Sequence, residues 1–181
     1  MHYAVLVIGP DPDELLEAHR DTSGMDQEEG ICPKEPLFDW RSIGGRWCGF
    51  FRLKPGRTGW ANDHTKKTCP PDHVDSALKE DIDWDHMRQH LREMAEASWQ
   101  RAMAIAPGQR SLLCPSILPN ERKEDYIAHA SSMSFFCAIL TSDKLYNFCD
   151  RRPTPDEQAE VEALIESLPG DALLTVVDCH Y

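Results

Sequence analysis

Two apolar runs stand at opposite ends of this 181-residue chain, YAVLVI from Tyr3 to Ile8 and LLTVV from Leu173 to Val177. Neither alternates with polar residues, and each is short, so each fits a strand covered on both faces. Strands of that kind belong in the middle of a sheet. The expected fold is therefore α+β, with the N- and C-terminal strands central in a mixed or antiparallel sheet and helices packed on it. The chain is long enough for one well-buried core, while two domains would each be small for their surface, so a single domain over 1–181 is expected.

Several helices announce their ends. Asp11, Pro12 and the acids after them supply an N-cap, a first-turn proline and a favourable charge at the positive end of the dipole, predicting a helix over about 12–20. Asp83 caps the longest predicted helix, with Ile82 and Met87 as a hydrophobic staple. Its stripe, Trp84, Met87, Leu91, Met94, Ala95, Ser98, Ala102 and Ile105, is expected to pack on the sheet, and Pro107-Gly108 to stop it. A further helix is expected over 121–130 with Asn120 as cap. Thr154-Pro155-Asp156-Glu157 is a capping box opening the last helix, whose buried stripe is Val161, Leu164, Ile165 and Leu168. Residues 135–140 and 145–148 read as strands joined by the hairpin loop TSDK. The turn-rich stretches 21–36 and 54–77 are expected to be mobile loops.

The segment DWRSIGGRWCGFF, Asp39 to Phe51, reads as a β-hairpin reversing at Gly44-Gly45, because adjacent glycines can both take positive φ. In that register Phe38, Trp40, Trp47, Phe51 and Leu53 share a core face, and Arg41, Arg46 and Arg52 share the opposite face with Phe50. A phosphate-cradling glycine loop would run into a helix, whereas RWCGFFRL continues as strand. The candidate binding residues are therefore the guanidinium groups of Arg41, Arg46 and Arg52 beside Phe50, a face suited to a phosphate, a base or an acidic partner.

Charge is unevenly spread. The net charge is −12, yet residues 31–70 hold eight Lys and Arg against three acids, inside a body whose two ends are acidic. Such a body repels nucleic acid at long range and favours a basic partner, while its central segment can take a phosphate locally. No apolar run approaches the roughly 20 residues needed to span a bilayer. The first run has no basic segment ahead of it, so it is taken as a strand rather than a leader, and a cytoplasmic protein is expected. Seven widely spaced cysteines without a CxxC pair make a poor disulfide framework and point to free thiols.

Three further groups carry possible chemistry. His64, Cys69 and His73, with Cys48 or Cys114 as a fourth ligand, are weak zinc candidates, because their spacing matches no standard module; no cofactor is expected. His86 and His90, four apart on the long helix, read as solvated histidines. Asp178 and His180 follow the last apolar run on one face of the strand, where a His–Asp pair can bind a ligand or move a proton, whereas nothing marks Cys179 as a nucleophile.

The pieces YAVLVIG, DWRSIGGRW, LKEDIDWDHMR, KEDYIAHA, FFCAILTSDKLYNF and LLTVVDCHY together resemble a group of small proteins encoded by bacteriophages and prophages. The resemblance covers most of the chain; IGGRW and LLTVVDCH are its most particular parts. It transfers no catalytic role to any residue. It implies a phage accessory protein acting in a bacterial host by binding a host protein or nucleoprotein complex, for instance as an inhibitor of a defence system such as CRISPR-Cas. Two other classes stay open: a nucleotide or single-stranded nucleic-acid binding module using Arg41, Arg46 and Arg52, and a zinc- or His-dependent phosphoesterase using His180.

Overall fold

In the computed structural model, which describes residues 2–20, 37–105, 121–132, 136–149 and 151–180, the two terminal apolar runs lie side by side. Strand β1 (His2–Ile8) pairs antiparallel with β8 (Leu173–His180), in a register running from His2↔His180 to Ile8↔Leu174. Alternation sends Ala4, Leu6, Leu174 and Val176 into one core, and Tyr3, Val5, Val7, Val177 and Cys179 into a second on the other side of the sheet. Both faces are covered, which is why neither run alternates in polarity.

The remaining strands build outward from this pair. They are β2 (Trp40–Ile43), β5 (Ser76–Leu78), β6 (Ala138–Leu140) and β7 (Leu145–Asn147), giving a six-stranded mixed sheet of order β2-β8-β1-β6-β7 with β5 also on β8. Strand β6 runs parallel to β1, and β6 and β7 form the expected antiparallel hairpin. Strands β3 (Phe51–Arg52) and β4 (His73–Val74) pair separately. Five helices are present among the described residues: α1 (Pro12–Glu17), α2 (Asp63–Thr68), α3 (Trp84–Met103), α4 (Lys123–Ala130) and α5 (Pro155–Ser167). None of them is long and apolar enough to cross a membrane. The architecture is the α+β single domain expected from the sequence, with β1 and β8 central.

Capping chemistry sets the helix starts. Asp11 accepts from the Glu14 amide, Asp83 from the His86 amide, and Thr154 with Glu157 closes a full capping box. Helix α5 lays Val161 and Ile165 into the first core. Helix α3 behaves differently from its prediction. Met87 joins the first core, but Ala95 and Ala102 pack with Tyr126 of α4, and Met94 is half exposed. Its stripe thus serves two neighbours in turn. Helix α4 begins at Lys123 after Arg122, and the expected cap, Asn120, lies outside the described residues, as do Pro107-Gly108, Cys114 and the stretch 21–36. The stretch 54–77, read as a loop, carries α2, β4 and the start of β5.

The largest departure is at Gly44-Gly45, where no hairpin forms. β2 pairs with β8 instead, up to Ile43↔Val177, and the Gly44 amide still donates to Val176 O. There the edge of β8 changes hands. Val176 donates to Asp75 O, and from Ser76↔Thr175 onward β5 is the partner. The chain must leave the edge to let Asp75 in, and it does so by a left-handed step at Gly44 (φ 71°) and Gly45 (φ 53°) into a 3₁₀ turn over Gly45–Trp47. Consequently the predicted shared aromatic face does not exist. Phe38 is buried in one core, Phe51 and Leu53 in the other, Trp47 is half-buried and Trp40 is 50% exposed.

Two buried carboxylates explain why both positions are glycine. A Cβ on Gly44 would stand 2.5 Å from Asp75 Oδ1, and one on Gly45 would overlap the Asp178 side chain. Gly56 also has positive φ (76°) but faces open space. Gly45→Ala is therefore expected to cost about 3 kcal/mol or more, against about 1 kcal/mol for Gly56→Ala. Urea unfolding checks the difference, and equal costs would show that the close approach to Asp178 is not what fixes the glycine.

Candidate functional site

Asp75 is fully buried, and its carboxylate works as a clamp. Oδ1 accepts from the Gly49 amide (2.8 Å), Oδ2 from the Asn62 amide (2.8 Å), and Thr65 Oγ1 donates to both oxygens. Asn62 in turn caps α2 and donates from Nδ2 to Ile43 O. Among the described residues no cation pairs with Asp75, so amide and hydroxyl donors replace the water it lost, each such bond to a charged acceptor contributing about 1.5–3 kcal/mol. Asp178, 2% exposed, grips the other side of the turn. Its Oδ2 accepts from the Arg46 amide at 3.1 Å and its Oδ1 from His2 Nδ1 at 2.9 Å.

Held this way, residues 46–52 form one wall of a groove of about 400 Å³ whose other wall is the first half of α3. Its apolar lining comes from Trp47, Phe50, Met87, Leu91 and Met94, and its polar lining from Arg46, Arg52, His73, His86 and His90. Phe50 stands edge-on to Phe51 and Phe136, with centroids 5.4 and 5.0 Å away, which fixes its ring against the core. Arg52 is anchored, donating to Asp72 Oδ2 (3.2 Å) and to His86 Nδ1 (2.6 Å). Asp72 also bonds His73 Nδ1, and the His73 and Arg52 contacts together hold its carboxyl below the usual range. The Arg46 side chain is exposed and makes no ion pair among the described residues. Among the described residues it is an unengaged charge at the groove mouth.

The three predicted arginines are thus divided. Arg46, Arg52 and Phe50 meet in the groove, but Arg41 lies across the sheet, donating to Asp13 Oδ1 (2.9 Å) and Glu17 Oε2 (3.0 Å) of α1 and stacking over Phe38. Its hydrogen bond holds the Glu17 carboxyl below the usual range. The common guanidinium face followed from the hairpin register and fails with it. Asp178 and His180 do share a face, as expected, at the end of β8 beside His2; His180 Nδ1 bonds Asp39 Oδ1 at 3.0 Å, which lowers the Asp39 carboxyl. His2 and Trp47 carry no site signal in the sequence, and His86 and His90, read there as solvated histidines, line the groove. The register His2↔His180 is visible only once β1 and β8 are known to be antiparallel neighbours.

The zinc set is not assembled. His64 lines a different depression, with Trp60 and Asn62, while His73 lines the groove and Cys69 Sγ points at Cys48 O. Among the described residues no three His, Cys, Asp or Glu side chains are grouped to hold a metal. The Cys48 thiol is raised, first by burial. Cys179 is fully buried and pushed up to about 12 by burial and then by Asp178, the opposite of what a nucleophile needs. Compared with family models, with curated proteins and with solved structures, the chain matches none.

The raised thiol gives a signed pH dependence. Because the folded state favours neutral Cys179, its contribution is complete below the ordinary value of 9.0 and is lost as pH rises toward about 12. The stability advantage of the wild type over Cys179→Ala, read from urea midpoints, is expected to be constant at neutral pH and to shrink from about pH 9 upward. A gap that stays level through the alkaline range would contradict this.

Proposed function

We propose that the protein is a non-enzymatic, phage-type accessory protein that works in the bacterial cytoplasm by binding a host protein or nucleoprotein complex, with the Arg46 groove as its contact surface. The observation that carries this reading is the exposed Arg46 guanidinium, unpaired among the described residues, at the mouth of a groove lined by Trp47, Phe50 and Met94. In a chain with 31 acids and 19 basic residues, a cation left unneutralised beside exposed apolar surface suits an acidic or phosphate-bearing partner segment with an apolar neighbour. Inhibition of a defence complex such as CRISPR-Cas is the use that the phage resemblance suggests.

The groove also supports a narrower form of the nucleotide reading. Arg46 and Arg52 can meet a phosphate while Trp47 or Phe50 meets a base, although Arg41 is spent elsewhere. The phosphoesterase reading has less in its favour, since the carboxylates of Asp178 and Asp39 flank His2 and His180 and would repel a phosphate.

The test is capture from host lysate with wild type, Arg46→Ala and Arg41→Ala. A stoichiometric partner retained by wild type and Arg41→Ala, but bound about tenfold more weakly by Arg46→Ala, supports the proposal. Recovery of no stoichiometric partner, or equal capture by Arg46→Ala, rejects it. If the bound species is instead a nucleotide or single strand, with binding that weakens steeply with salt, the narrower reading replaces it.

A further inference from the structure

His2 and His180 stand directly opposite each other across β1 and β8, beyond the last buried residues on that face. Each ring is held by a carboxylate at Nδ1: His2 by Asp178 at 2.9 Å and His180 by Asp39 at 3.0 Å. A carboxylate accepts, so each imidazole donates from Nδ1 and, when neutral, carries its lone pair on Nε2. Neither Nε2 has a hydrogen-bond partner among the described residues. This is the arrangement in which metal-binding histidines are usually set, with the far nitrogen fixed by an acid and the near one presented.

The spacing of the rings suits a shared ion. With Zn–N bonds of about 2.0–2.1 Å and a tetrahedral angle between them, two imidazoles ligating through nitrogen have ring centroids about 5 Å apart. The observed separation is 4.9 Å, with the planes at 63°. Local charge selects the sign of the ligand. Asp178 and Asp39 lie against the pair, and no Lys or Arg side chain pairs with either among the described residues, so a cation is attracted where a phosphate ester would be repelled.

The other histidine pair lacks these features. His86 and His90 are stacked at 6.2 Å and nearly parallel, and His86 Nδ1 already accepts from Arg52, which puts the neutral ring's proton on Nε2.

We propose that His2 and His180, oriented by Asp178 and Asp39, form a two-imidazole site for a divalent transition-metal ion of the zinc class, completed by water. The site is separate from the groove and from the zinc set His64, Cys69 and His73, and it does not depend on the binding function proposed above. It is open on the His180 side, where that side chain is 41% exposed, while the Trp40 ring stands edge-on to His2 with centroids 5.9 Å apart.

Isothermal titration of the untagged protein with Zn²⁺ tests it, using wild type, His2→Gln, His180→Gln, Asp39→Asn and, as control, His90→Gln. The expected result is one ion per chain, at least about tenfold weaker in either His2→Gln or His180→Gln, about tenfold weaker in Asp39→Asn, and unchanged in His90→Gln. Thermal unfolding separates a lost site from a lost fold. Without metal each variant should melt within a few degrees of wild type, and Zn²⁺ should raise Tm in wild type and His90→Gln but not in His2→Gln or His180→Gln. No saturable binding by wild type, or affinity within about twofold of wild type in either His2→Gln or His180→Gln, overturns the proposal.

Discussion

The structure turns on how one edge of β8 is shared. Two segments far apart in the chain, β2 and β5, must pair with the same strand end to end, and the only way to fit both is for the first to leave as the second arrives. The exchange happens at Val176, whose carbonyl accepts from Gly44 and whose amide donates to Asp75. The Asp75 side chain then collects the amides of Gly49 and Asn62 and the hydroxyl of Thr65, so the residue that completes the sheet also ties down the segment that left it. A buried carboxylate is costly unless its oxygens are fully engaged, and here the engagement joins three stretches of backbone.

Both candidate sites flank that turn. Forward of it, residues 46–52 are pushed toward α3 and enclose a groove with aromatic rings, three imidazoles and two guanidinium groups. Behind it, Asp178 reaches back to His2 and faces a small patch of acids and histidines at the strand ends. The two regions are electrostatically opposite, one presenting a cation without an ion-pair partner among the described residues and the other a pair of carboxylates, although a single aspartate touches both through the Arg46 amide. An acidic protein thereby carries two surface regions of opposite local charge.

Elements defined by local chemistry were legible in the sequence: the doubly covered strands, the Asp11, Asp83 and Thr154 caps, and the β6–β7 hairpin all depend on neighbours a few residues apart. The segment around Gly44-Gly45 was not, because its glycines answer to Asp75 and Asp178, 31 and 133 positions away from Gly44 and Gly45 in the numbering. A turn that reverses a strand and a turn that peels one off an edge use the same residue types. A hairpin register would put Trp40 and Trp47 on one core face and Arg41 beside Arg46, whereas the departing turn leaves Trp40 half exposed and Arg41 against α1. His2 was invisible as a site residue for the same reason: its partners, His180 and Asp178, become neighbours only through long-range antiparallel pairing.

Amide hydrogen exchange at Arg46, Gly49 and Asn62 measures the clamp directly, since these three N–H groups donate to Asp178 and Asp75 and to nothing else in the fold's ladders. If buried carboxylates hold the turn, these amides exchange as slowly as those in the middle of β8, despite lying outside any long strand or helix. Exchange at the rate of an open loop would contradict the account at its root.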